Sequence, residues 1–310
     1  MESLNRMALE LADEALDFAQ ELDIGAVELD SGATVLDFGV DHEGGIEAGL
    51  LLAELQTAGL ATVQTRMDEV AGAPLPRVEL STDHPGLALL GSQKAGWELS
   101  LGEFQGLGSG PARALVAEET EFHELGYTDA FEFAVLAVEA DRLPTDEVAR
   151  RVAERAGVEP ERTYLAAFPS ASVAGAVAVA ARAPEMAVFR LAELGYDPTA
   201  VVSATGSAPV PPVAGDEETA IARGNDALAY GGRVHLVVAE ADDCFADLPS
   251  TATEEYGTPF ADVFAAADWD FYEVPPEVFA PAQVTVDVVG GPTAAYGDTD
   301  EDLLAESFGL

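Results

Sequence analysis

VLAVEADRLPTDEVARRVAERAGVEPERTYLAAF, residues 135–168, opens and closes on short apolar runs with a charged, periodic segment between them. The runs 135–138 and 164–168 have the length and the unbroken apolar character of strands buried on both faces. Between them Thr145 is placed to cap a helix from Asp146 to about Ala156, and Gly157 stops it. Arg150, Arg151 and Arg155 read as a solvated face pairing with Asp146 and Glu147 at i,i+4 spacing rather than as an anion patch.

Working outward toward the N-terminus, Leu4, Met7, Leu11, Ala15, Phe18 and Leu22 recur at helical spacing behind Ser3, a suitable N-cap. Short strands are expected at 27–29 and 33–38 around Asp30-Ser31-Gly32, then a helix over 46–60. Residues 77–90 read as extended, and 91–113 are rich in Gly and Ser. Toward the C-terminus, residues 170–181 fit neither period. Pro184 suits the first turn of a helix ending near Leu194. The repeated words 124–127 and 193–196, Glu-Leu-Gly-Tyr, read as two helices stopped by glycine. A Gly/Pro-rich loop is expected over 204–215, then a short helix and a strand at 233–238. Val284, Val286 and Val288 alternate as a half-buried strand, and a last helix begins near Thr299. No steady strand–helix–strand rhythm runs through the chain, so the fold class is α+β.

The 310 residues hold 57 Asp and Glu against 14 Lys and Arg, a formal net charge of -43, yet 48% are hydrophobic. Acids spread through every segment of so apolar a chain belong on the surface of a folded body, not in a disordered tail. Self-repulsion of that surface destabilises it in dilute buffer and fades in molar salt, where the Debye length is roughly 3 Å. The composition therefore points to a salt-filled cytoplasm, and nucleic acid or an anionic membrane would be a poor partner. Cys244 stands alone, so neither a disulfide framework nor a Cys/His zinc spacing exists. The acidic start is unlike a signal peptide, and 170–181 is too short to span a bilayer before Arg182.

Lys94 is the only lysine, set in Gly-Ser-Gln-Lys-Ala-Gly-Trp, residues 91–97. An ammonium kept there, where lysine has otherwise been removed, would bind an anionic group or polarise an oxygen. Residues 106–113, Gly-Leu-Gly-Ser-Gly-Pro-Ala-Arg, could turn backbone N–H groups toward an anion at a helix start, although a plain tight turn explains them equally well. Arg182 and Glu185, three apart, share a helical face and can pair, which would hold the carboxylate in place, although on spacing alone an ordinary helix-start ion pair explains them better. His42, His84, His123 and His235 are scattered, and no metal site is expected.

Nine segments, in order, resemble the methenyltetrahydromethanopterin cyclohydrolases, an archaeal family of one-carbon enzymes. They are residues 31–35, 47–50, 81–85, 91–97, 108–113, 181–185, 225–232, 256–260 and 279–282. The resemblance implies two α+β domains side by side with the substrate pocket between them, and a homotrimer with neither cofactor nor metal. A division at residue 125 is expected, giving domains 1–125 and 126–310. It implies that water adds to the cationic methenyl bridge of the pterin and the ring opens to the N5-formyl product. By the same resemblance Glu185 orients and deprotonates that water, positioned by Arg182. Lys94, Gln93, Ser92, Arg113 and the Gly108-Ser109-Gly110 backbone become candidates for holding the pterin or its anionic tail. Two rival readings are the same chemistry on tetrahydrofolate and a tetrahydropterin-binding protein without turnover.

Overall fold

Local signals set the ends of the helices. In the computed structural model, which describes residues 2–269 and 274–310, Ser3 accepts the N–H of Arg6 and starts α1 (Leu4–Asp17). The chain continues through β1 (Gly25–Glu28), β2 (Thr34–Asp37), α2 (Ile46–Gln56), β3 (Thr62–Val70) and β4 (Ala73–Thr82). Next come β5 (Ala95–Leu101), β6 (Phe104–Ser109), α3 (Ala112–Val116), α4 (Thr120–Leu125) and β7 (Ala134–Glu139). Thr145 caps α5 (Asp146–Ala156), which ends at left-handed Gly157; β8 (Thr163–Phe168), α6 (Val173–Ala180) and α7 (Ala183–Glu193) follow. The remainder is β9 (Val201–Pro209), α8 (Glu217–Gly231), β10 (Arg233–Val238), α9 (Phe260–Ala266), β11 (Gln283–Val288), β12 (Thr293–Gly297) and α10 (Glu301–Phe308).

The fold is α+β with two six-stranded mixed sheets, each in its own compact unit. One unit comprises residues 1–62 and 86–178, the other 63–85 and 179–310. The expected division at residue 125 gives way to this one, because β6 pairs antiparallel with β7 across that point and a cut there would split a sheet.

In the first unit the strand order is β1-β2-β8-β7-β6-β5, with β2, β8 and β7 parallel neighbours. Successive residues of β7 and β8 enter opposite cores. Val135, Ala137, Ala166 and Phe168 join a cluster with α1 and α2 residues such as Leu4 and Leu52. Ala134, Leu136, Val138, Leu165 and Ala167 join another with Val148 and Val152 of α5. Burial on both faces is why these strands are apolar without alternation. The solvated arginine face read from sequence holds for Arg150, which is exposed and pairs with Asp146 at 2.9 Å; Arg151 pairs instead with Glu154 at 3.1 Å, and half-buried Arg155 lies over the ring of Trp97, 4.3 Å from its centroid. Within residues 170–181, which fit neither period, Val173–Ala180 form α6. It lies so close to α2 that a Cβ on Gly49 would fall 2.6 Å from the Cβ of Val177.

The second sheet runs β12-β11-β10-β9-β4-β3. The expected loop over 204–215 begins instead with the last residues of β9, a central strand between β10 and β4. Its Gly206 admits the start of α7, since a Cβ there would come within 2.8 Å of the Pro184 ring. The expected short helix is α8, fifteen residues long, whose Ala227 and Tyr230 share a core with Phe260 and Phe264 of α9 and Leu304 and Phe308 of α10. The extended reading of 77–90 holds only to Thr82. Residues Gly86–Gln93 form a π-helical segment, and the N–H of Lys94 reaches back five residues to the carbonyl of Leu89 at 2.7 Å. Among the described residues no helix is long and apolar enough to cross a membrane.

Candidate functional site

The residues singled out by sequence fall into two groups, one in each unit. Arg182 and Glu185 stand at the start of α7, where Pro184 occupies the first turn and Arg182 is the N-cap. Nε of Arg182 donates to Oε2 of Glu185 at 2.9 Å, and its Nη2 lies 2.9 Å from the same oxygen. The Glu185 side chain is 4% exposed against 19% for Arg182, so the carboxylate is sunk and its guanidinium partner lies nearer to solvent. A carboxylate in the first turn of a helix is further favoured by the macrodipole. This arrangement can orient a water molecule and take a proton from it while resisting rotation of the side chain.

In the first unit Ser92, Gln93, Lys94, Gly108, Ser109, Gly110 and Arg113 do lie together, at the end of the π-helical segment and of β6. Their partners differ from the expected ones. Arg113 is fully buried; its Nη1 donates to the carbonyls of Leu90, Ser92 and Lys94 at 3.3, 3.2 and 2.6 Å. Its Nε donates to Glu119 at 3.0 Å, and Nη2 meets the same carboxylate. With every nitrogen engaged inside the protein, Arg113 holds the turn that carries Lys94 and is not available to an external anion. The Gly110 N–H donates to the Ser92 carbonyl at 2.7 Å, so the glycine turn does not present that donor to a ligand either. Gly108 is required by close packing: a Cβ there would lie 3.1 Å from that of Trp97. Ser92 donates to the Gln56 carbonyl at 2.5 Å, and Ser109 accepts from the Gln56 side-chain amide at 3.1 Å. Gln93 is wholly buried, and neither polar atom of its side chain has a hydrogen-bond partner.

Lys94 alone of this group reaches the surface, at 19% exposure. Its ammonium, expected among neutral neighbours, lies 2.5 Å from Glu121 and 3.9 Å from Glu119. Burial pushes the Glu121 carboxyl up, but the Lys94 charge and hydrogen bond override it and hold the group below its ordinary value.

Two acidic sites of the first unit escaped the sequence reading. Asp37, the last residue of β2 and 1% exposed, accepts the N–H groups of Gly39, Val40, Asp41 and His42. It also meets Nδ1 of His42 at 2.9 Å, which raises the imidazole above its ordinary pKa. Burial pushes the Asp37 carboxyl up, and these hydrogen bonds bring it below its usual range. Glu139, the last residue of β7, accepts the hydroxyl of buried Ser170 through Oε1. The available signal was one acid ending an otherwise apolar run. Among the described residues no group of three or more His, Cys, Asp or Glu is arranged to hold a metal ion.

Residues 3–308 match the Cyclohydrolase (MCH) family. The chain is 64% identical over 310 residues to a methenyltetrahydromethanopterin cyclohydrolase of Halobacterium salinarum, with all of both chains covered. Proteins of that name from Methanocella arvoryzae and Methanosphaerula palustris are 40% and 38% identical over 315 and 314 residues. The whole of this chain is covered in both cases, with 99% and 100% of the relatives.

Proposed function

Because the chain belongs to the Cyclohydrolase (MCH) family, we propose that it opens the methenyl bridge of 5,10-methenyltetrahydromethanopterin with water, giving the 5-formyl carrier in one-carbon metabolism. Full-length similarity to relatives of that name supports the carrier. The buried, arginine-held carboxylate of Glu185 carries the mechanism. The methenyl carbon is cationic and already electrophilic, so the protein has to supply a positioned base rather than a strong nucleophile. Water's oxygen bonds to that carbon as one of its protons passes to Glu185 and on to solvent. The C–N10 bond then breaks, the remaining hydroxyl becomes the formyl carbonyl, and its proton ends on N10. Arg182 keeps the carboxylate aimed, and the anion stabilises the cation beside it.

Lys94 is assigned to an anionic part of the substrate, presented at the surface by Glu119 and Glu121. Arg113, Ser92, Ser109 and the glycines support that turn from beneath. Gln93, whose buried amide is uncommitted, belongs to the same support. The composition and the family resemblance support a cytoplasmic homotrimer.

The test is turnover in molar KCl with the methenyl forms of tetrahydromethanopterin and tetrahydrofolate in turn, on wild type, Glu185→Gln, Arg182→Ala and the double variant. Loss of the base lowers the rate by about 10²–10⁴-fold. The two changes are expected to be non-additive, since they remove parts of one device. Wild-type turnover by a correctly folded Glu185→Gln protein overturns the mechanism, and turnover of the folate carrier alone overturns the substrate.

A further inference from the structure

In the first sheet β7 and β8 are parallel neighbours whose connections leave on opposite sides. The helix after β7 is α5, whose Val148, Ala149 and Val152 lie in the core on one face. The helix after β8 is α6, whose Ala174 and Ala178 lie in the core on the other. Where consecutive connections diverge in this way, a crevice opens beyond the carboxyl ends of the strands, and open sheets bind ligands there.

Glu139, which ends β7, and Ser170, just after β8, meet at that edge. Residues 134–138 are buried, whereas Glu139 is half-buried, and the Ser170 hydroxyl, itself in a residue only 4% exposed, fixes Oε1. Oε2 takes no hydrogen bond from a described residue, and a carboxylate oxygen accepts more than one donor. The other acid at this edge, Asp37, is committed to the backbone of the loop 39–42 and to His42. Glu139 is thus a half-buried acceptor pair at the carboxyl edge of the sheet, oriented by a buried hydroxyl.

We propose that Glu139 is a substrate-binding residue that receives the N–H edge of the pterin ring. The 2-amino group and the adjacent ring N–H of an aminopyrimidinone point two donors the same way, and a carboxylate matches them with two oxygens. This assignment rests on the cyclohydrolase reading for the identity of the ring. That ring edge is remote from the methenyl carbon, so the contact stabilises ground state and transition state alike and acts on KM rather than kcat.

The experiment compares wild type, Glu139→Gln and Ser170→Ala in molar KCl. Turnover is measured with the methenyl carrier, and calorimetric binding with 6-methyltetrahydropterin, which carries the ring edge without the tail. Glu139→Gln replaces one acceptor by a donor facing a donor, so KM and the Kd of the short pterin are expected to rise together by about 10- to 100-fold with kcat retained. Ser170→Ala keeps the carboxylate but frees it to rotate, and a smaller rise in both is expected. Unchanged KM and Kd in a Glu139→Gln protein with native circular dichroism overturn the proposal, as does a loss confined to kcat. Failure of wild type to turn over any methenyl carrier would sink the cyclohydrolase reading instead, while the binding arm still reports whether Glu139 holds a pterin.

Discussion

Asp226 in α8 is 1% exposed, accepts the Phe260 N–H through Oδ1 at 2.9 Å and the Ser307 hydroxyl through Oδ2 at 2.6 Å, and so ties the interior of α8 to the start of α9 and the end of α10. Burial outweighs these two hydrogen bonds and pushes its carboxyl up to about 6. A carboxyl raised on folding stabilises the native state fully below its unfolded value near 3.8, and that contribution disappears as pH rises through the folded value. Asp226→Asn, whose amide can donate to the Ser307 oxygen while its carbonyl accepts from Phe260, is therefore expected to gain about 1–3 kcal/mol at pH 8 and little at pH 4. Denaturation at fixed molar KCl across that range checks it; an equal effect at both pH values removes the titration from the account. Such burial was invisible in sequence, where Asp226 is one acid among 57 Asp and Glu. The i,i+3 spacing of Arg182 and Glu185 and the isolation of Lys94 were legible, because spacing and counts are local facts. The roles of Arg113 and Glu119 were not, because they depend on carbonyls brought in from other elements.

At the scale of elements, caps and stops were the readable part. Ser3, Thr145 and Gly157 act through hydrogen bonds and dihedral preferences within a few residues. Strand β9 was hidden by Gly206, which is there to admit Pro184, so tertiary packing overrode the local turn signal. The π-helical segment Gly86–Gln93 was equally hidden, since two of its terminal carbonyls, those of Leu90 and Ser92, and that of Lys94 just beyond it are satisfied from outside by a single guanidinium. Removing that guanidinium leaves those carbonyls without this donor and strands Glu119 beside Lys94. Arg113→Ala is expected to cost about 3–5 kcal/mol, as for other broken buried ion pairs. Lysine is a poor substitute because a point charge cannot serve three carbonyls and a carboxylate together. Thermal denaturation of the two variants in molar KCl checks this, and full stability in Arg113→Lys would show that charge alone suffices.

For the whole molecule, charge governs conditions and topology governs assembly. At 0.01 M salt the Debye length is about 30 Å and the surface acids repel across the body; at 1 M it is about 3 Å. The melting temperature is expected to rise steeply between low and molar KCl, and sedimentation to report a homotrimer only at the high end. An unchanged melting temperature contradicts the salt reading, and a monomer at every salt contradicts the trimer. The α+β class was legible from the missing strand–helix rhythm, whereas the partition of the chain was not, because β4 pairs with β9 and β2 with β8 across long stretches of sequence. That partition bears on how the protein is made. On the ribosome β2 emerges long before β8, and the hairpin β3–β4 waits, unpaired on its β4 side, until β9 is released. Each unit thus holds an early segment in reserve for a late one: the first cannot close until β8 has emerged, and the second not until β9 and the strands beyond it have. The nascent chain exposes strand edges for most of its synthesis, and its acids, by keeping neighbouring chains apart, protect it during that interval.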